Sequence, residues 1–160
     1  DHRDLHSFPT RRSSDLYFHG YRHLAREGVA PRYPFGFGLT YTTFAYGELT
    51  LEQAVLGPAG TLRARVEITN TGAVRARETV QLYVAAIGSR VERAPADLRA
   101  FAQVELAPGE TRGVERAAPA PELAFYDVTA GAFEVERIAY EARVGPNAAE
   151  AASTASFRVE

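Results

Sequence analysis

The sequence contains no cysteine, no tryptophan and no lysine, and each absence closes off a class of chemistry. Without cysteine there is neither a disulfide framework nor a thiolate metal site, although the compartment stays open. Without lysine, all 18 basic residues are arginine, which together with abundant alanine reads as GC-rich coding rather than as a binding surface. Histidine is confined to His2, His6, His19 and His23, so the chain from Gly47 onward has no imidazole, thiol or amine side chain. The common general bases and nucleophiles are missing there, apart from carboxylates and hydroxyls. No apolar run approaches the ~20 residues of a membrane-spanning helix. A net charge of −2 gives no electrostatic case for nucleic acid or an anionic membrane as partner.

What is present suits an ordinary folded domain. The 160 residues are 46% hydrophobic and 24% charged, enough for one real core plus a fragment of a second domain. Residues 1–16 have no hydrophobic periodicity and end in the string SFPTRRSSDL. That string reads as the translation of a common sequencing-library adapter; a disordered basic tail or a targeting peptide are the other readings. No apolar segment follows the arginine pair, which argues against a signal peptide. On the adapter reading the gene continues upstream of Leu16.

Residues 17–33 mix aromatics with His19, Arg22, His23 and Arg26. A short helix is predicted over 21–26, stopped by Gly28 and barred from Pro31. His19 and His23 sit four apart, which on a helix would place them on one face where they could bind a metal, but no carboxylate or thiol stands at ligand spacing, so they read as surface or interdomain residues. Gly36 and Gly38 lack the lysine and hydroxyl residue of a phosphate loop and read as turn residues. Residues 39–44 alternate as a strand would, with Leu39, Tyr41 and Thr43 on one side and Thr40, Thr42 and Phe44 on the other.

From Gly47 the pattern is short strands between turn signals. Leu62, Ala64, Val66 and Ile68 alternate with Arg63, Arg65, Glu67 and Thr69, a half-buried antiparallel strand. Residues 48–54, 79–86, 102–106, 111–116, 123–128, 132–136, 139–144 and 154–159 complete the set, with Asn, Gly and Pro between them. This spacing predicts an all-β sandwich of the immunoglobulin-like, fibronectin type III-like kind behind an irregular N-terminal segment. Val66, Leu82, Val104 and Tyr140 should point inward, and Arg65, Gln81 and Glu105 outward. The proline-bearing run 117–121 cannot be a central strand and should be the loop crossing between sheets.

Five ordered segments carry a family resemblance. Residues 33–44 (YPFGFGLTYTTF) resemble the FPFGxGLSYTxF segment of glycoside hydrolase family 3, the β-glucosidase and β-xylosidase group. Gly20-Tyr21-Arg22 with Gly28 to Pro31 is similar to the approach to that segment. Gln81 to Val84 resembles VQLYV, residues 98–110 resemble ELkGFxKVxLxPGE, and residues 123–127 resemble LaFyD. The resemblance covers about residues 17–159. It implies that 17–46 are the tail of an α/β sandwich domain and a linker, and 47–160 a fibronectin type III-like domain. It departs at Ala100, where the family has glycine, and at residues 136–140, where PGxY is expected.

The resemblance also bears on chemistry. Glu134 and Glu136 stand two apart on a predicted strand with Asp127 near them, and a glycosidase needs two carboxylates at fixed separation. No motif around them builds an apolar wall to raise one pKa, so they read as solvated strand residues. The family's nucleophilic aspartate lies in a barrel domain within a Ser-Asp-Trp motif, and its acid/base glutamate lies upstream. With no tryptophan the chain has no Ser-Asp-Trp, and Ser14-Asp15 belongs to the adapter-like segment, so no catalytic residue, cofactor site or metal site is assigned. The resemblance implies a non-catalytic accessory domain of a retaining β-glycosidase of the β-glucosidase kind. Its partners would be the catalytic domains of the same polypeptide, with possible carbohydrate contact, in the periplasm or outside the cell. The rival reading is a free-standing sandwich that binds carbohydrate or protein, for which Phe35, Phe37 and Tyr41 are the candidate ring faces. An adhesion-type fibronectin domain has fold analogy alone behind it.

Overall fold

The computed structural model describes residues 17–160; residues 1–16, and with them the adapter reading, His2 and His6, lie outside the described residues. A short helix, α1 (Tyr21–Arg26), precedes the strands. The strands are β1 (Phe44–Tyr46), β2 (Thr50–Leu51), β3 (Val55–Leu56), β4 (Thr61–Asn70), β5 (Ala76–Ile87), β6 (Asp97–Leu106) and β7 (Thr111–Pro119). After a 3-10 turn over Ala120–Leu123 come β8 (Phe125–Asp127), β9 (Ala132–Glu134), β10 (Ala139–Gly145) and β11 (Ser153–Val159).

Two sheets face each other. In the first, β4 is the spine, paired antiparallel with β7 along one edge and with β1 and β2 along the other. The second runs β3-β11-β10-β5-β6, antiparallel except for the β3–β11 pair. A separate hairpin pairs β8 with β9. The core lies where alternation demands it: Leu62, Ala64, Val66 and Ile68 of β4 meet Val80, Leu82 and Val84 of β5, all buried. Burying each large side chain stabilises the fold by roughly 1.5–3 kcal/mol, which is why the two faces must cover each other. This is an all-β sandwich.

Most inward and outward assignments agree: Val66, Leu82 and Tyr140 are buried, while Arg65 and Glu105 are exposed. Val104 is half-buried, packed against the core from β6, an edge strand. Gln81 reverses the expectation. Only 2% of it is exposed, and its neighbour Tyr83 is equally covered, because residues 17–43 lie across the outer face of β5. A strand at the centre of its sheet, covered on both sides, has no wet face.

Other departures have local causes. Residues 39–43 form no strand: pairing starts at Phe44 opposite Asn70, the last residue of β4, so the residues before it have no ladder to join. The run 117–119 finishes β7 rather than starting a loop, which Pro119 tolerates as the last residue of an edge strand; the crossing begins at Ala120. Ala100 sits beside a bulge between β5 and β6 where Arg99 is the extra residue. No non-glycine residue there has a positive φ, so alanine is unstrained. At the second departure the Tyr140 hydroxyl donates to the Glu136 carbonyl at 2.9 Å, and the ring stacks on Phe157. A tyrosine bonded back to the corner it follows is a known device of such sandwiches.

Candidate docking surface

The residues before β1 act as a strap bound to the outer face of the second sheet. Its first anchor is Asp97, which is 3% exposed at the start of β6. Tyr17 donates its hydroxyl to Asp97 Oδ2 at 2.9 Å, Arg22 Nε lies 2.6 Å from Oδ1, and Arg99 reaches Oδ2 at 3.0 Å. The Tyr17 hydroxyl also accepts the Ala94 amide, and the Tyr21 hydroxyl accepts that of Leu98. Burial raises the Tyr17 phenol above its ordinary pKa despite the Ala94 contact, with the Asp97 charge acting in the same direction.

The second anchor is Gln81. Its carboxamide donates to the carbonyls of Pro146 and Gly36 and accepts the Tyr83 hydroxyl at 2.7 Å. Ala148 adds a backbone bond to the Phe35 carbonyl at 2.8 Å. Gly36 makes this approach possible: its φ is 85°, and a Cβ there would collide with the Gln81 carboxamide. Gly38 has neither constraint, so only one of the two turn glycines is needed for turning. Gly36→Ala should therefore unseat the Gln81 network and free the strap, read as faster proteolysis within residues 23–42. Gly38→Ala should leave the digestion rate unchanged.

The strap turns its apolar side chains outward. Leu39 is 91% exposed and Tyr41 is 96% exposed, and Val29, Tyr33, Phe35 and Phe37 are about half exposed. Phe35 stacks on Tyr21 at 5.1 Å, and Phe37 lies 5.3 Å from Tyr33, so the rings are fixed in place while their outer faces stay open. Six large apolar side chains left open on one short segment mark a candidate interaction surface.

The carboxylates singled out in sequence are each tied to local partners. Arg90 binds Asp127 at 2.7 Å and Glu134 at 2.5 Å, and its guanidinium lies over the Phe125 ring. Glu136 lies past the end of β9 and is 5% exposed rather than solvated, because the loop 88–93 folds over it; Ser89 and the Arg90 amide both donate to it. Asp127 accepts the Ala130 and Thr129 amides, and these, with Arg90, hold its carboxyl below the usual range. His19 precedes Gly20 and α1, so it does not share a helical face with His23. Among the described residues no group of three metal-ligating side chains occurs.

One cluster escaped sequence reasoning. Tyr46 donates to Glu78 Oε1 at 3.2 Å, which also accepts the Thr79 amide at 2.9 Å. Burial raises the Glu78 carboxyl, the Thr79 and Tyr46 bonds oppose that, and Glu150 reinforces it. A raised carboxyl pKa means the folded chain holds its proton more tightly than the unfolded one. The associated stability is present below the unfolded pKa and is lost as pH rises through the folded value. Glu78→Gln should therefore gain on the wild type as pH rises across that window, a difference that paired melting curves at acid and neutral pH would show.

Two facing sheets and a bonded corner tyrosine define a fibronectin type III-like sandwich. Comparison with known proteins agrees. Residues 78–148 match the family described as "Fibronectin type III-like domain". A β-glucosidase of Rhizobium radiobacter is 41% identical over 143 residues, 89% of this chain and 17% of that protein. Among solved structures, the β-D-glucoside glucohydrolase of Trichoderma reesei superposes with a TM-score of 0.84 at 28% identity, covering 92% of this chain and 23% of that one. The GH3 β-glucosidase of Bifidobacterium adolescentis gives 0.82 at 33% identity, over 89% and 21%. The chain belongs to the fibronectin type III-like region of the family 3 β-glucosidases, and it spans less than a quarter of the length of these relatives.

Proposed function

We propose that this chain is the accessory, non-catalytic region of a larger retaining β-glycosidase of the β-glucosidase kind, and that it works by docking onto that enzyme's catalytic domains. The parent would hydrolyse terminal non-reducing β-linked sugars through a covalent glycosyl-enzyme, with both catalytic carboxylates outside this chain. The observation that carries the reading is the set of exposed apolar side chains on the strap, with Leu39 and Tyr41 almost wholly exposed. Such side chains are stabilised by a neighbouring surface, and the relatives are several times longer than the part matched here. On this reading residues 17–46 continue an α/β sandwich domain, and the parent works in the periplasm or outside the cell. Sequencing the source DNA across the codons for Leu16 and Tyr17 tests it. An open frame running upstream into a Ser-Asp-Trp barrel supports the reading; a start codon close by would overturn it.

A free-standing sugar-binding module would need ring faces in one plane. Of the exposed rings away from the strap, Tyr126 and Phe133 on the β8–β9 hairpin meet edge to face at 72° and provide no such plane.

A further inference from the structure

Two carboxyl groups line one small cleft between the strap and the turn after β10. Glu78 of β5 and Glu150 of the turn both border it, with Tyr46 of β1 and Arg77 of β5 as the other ionisable groups. The strap supplies only glycine, apolar and threonine side chains to its wall. Glu78 joins the two sheets through the Tyr46 hydroxyl at 3.2 Å and also accepts the Thr79 amide. Among the described residues no arginine is ion-paired with Glu78 or Glu150; Arg77 is paired instead with Glu105 of β6, 4.0 Å away.

The turn that carries Glu150 also grips the strap. Its shape is tight: the Glu150 side chain accepts the Asn147 carboxamide at 3.3 Å, and a Cβ on Gly145 would strike the Glu150 carbonyl. From the same turn, the Ala148 amide donates to the Phe35 carbonyl, and the Pro146 carbonyl accepts the Gln81 carboxamide that also bonds Gly36. Displacing Glu150 therefore disturbs the bonds that hold Phe35 and Gly36. We infer that Glu78 and Glu150 form a pH-sensitive latch: with Glu78 protonated the turn stays closed on the strap, and ionisation of Glu78 sets two like charges across the cleft and lets the turn and residues 35–42 open. The protonated carboxyl still accepts from Tyr46 and Thr79, and Glu150 then faces a neutral group. Once ionised, the two groups repel beside ring faces that screen them less than water does. Burial, reinforced by Glu150, raises the Glu78 carboxyl against the Thr79 and Tyr46 bonds, so the closed form holds its proton more tightly than the open one. The advantage of the closed form is full below the open-form pKa and is lost as pH rises through the closed-form value.

The latch is read on this chain alone, so its failure and that of the docking reading are distinguishable. The test is amide exchange followed by NMR across acid to neutral pH, expressed as protection relative to the intrinsic rate at each pH. Protection of the Ala148 amide should fall at least about threefold as pH rises through the Glu78 transition. The Leu98 amide, held by the Tyr21 hydroxyl beside α1, should keep its protection. Glu78→Gln should abolish the pH dependence at Ala148. Two milder variants should move its midpoint in opposite directions, and they decide the matter even if Glu78→Gln fails to fold. Glu150→Gln should lower the midpoint by removing a like charge, and Tyr46→Phe should raise it by removing a bond to the ionised carboxylate. A merely structural role for these side chains would change protection at every pH alike. A flat Ala148 profile in the wild type, a midpoint that Glu150→Gln leaves in place, or a Leu98 amide that loses protection in parallel would overturn the latch.

Discussion

Replacing Asn70 with alanine should lower stability by about 3 kcal/mol, among the largest losses any single polar side chain here can cause. Asn70 closes β4 and is fully buried. Its carboxamide donates to the carbonyls of Val74 and Leu106 and accepts from the Thr42 hydroxyl at 2.6 Å and the Gly72 amide at 3.1 Å. Truncation leaves those four groups without their partner where water cannot readily replace it, and it also releases Thr42 from the top of the strap. Thermal unfolding should shift down by roughly 10 °C. By contrast, breaking the exposed Arg65–Glu115 pair with Arg65→Ala should cost no more than about 0.5 kcal/mol. A small effect at Asn70 would show that the first sheet is not tied to the strap through this residue.

Asp97→Ala should cost about as much, roughly 3 kcal/mol, for a different reason. The buried carboxylate neutralises Arg22 and Arg99 together, and Tyr17 bonds to it as well. Its removal leaves two partly buried guanidinium groups facing each other with nothing between them, a worse state than having no ion pair at all. The loss should be accompanied by release of residues 17–26, seen as accelerated amide exchange in α1. If α1 stays protected in Asp97→Ala, the aromatic contacts of Tyr21 with Phe35 and Tyr83 hold the strap by themselves. The charge cluster would then be secondary.

The legible parts of this fold were those where local pattern and global position agree. The alternation from Leu62 to Ile68 is a complete record of one strand's inward and outward faces, because the outer face of β4 is wet. The helix at Tyr21–Arg26 ends where Gly28, with a φ of 66°, lets the chain turn. Gln81 misled because alternation assumes solvent on one side, whereas the covering strap comes from more than forty residues earlier in the chain. The apparent strand at 39–43 misled for the converse reason: a period of two is necessary for a strand, but a partner edge must exist as well. Glu136 looked like a solvated strand residue because nothing near it in sequence reveals that Ser89 and Arg90 will fold over it. The Tyr46–Glu78 pair joins two strands of different sheets, and no spacing rule connects residues 32 apart.

The docking claim is tested most directly in a hybrid enzyme. The matching region of the Rhizobium radiobacter β-glucosidase would be replaced by residues 17–160, and hydrolysis of an aryl β-glucoside followed together with thermal half-life. The hybrid should be active, and the isolated chain inactive. Leu39→Asp with Tyr41→Asp should leave the melting of the isolated chain unchanged, because both side chains are more than nine-tenths exposed. In the hybrid the same pair should cut the half-life at least about tenfold, as two charges are forced into an apolar interface. A hybrid whose half-life and activity ignore both substitutions would contradict docking through this face.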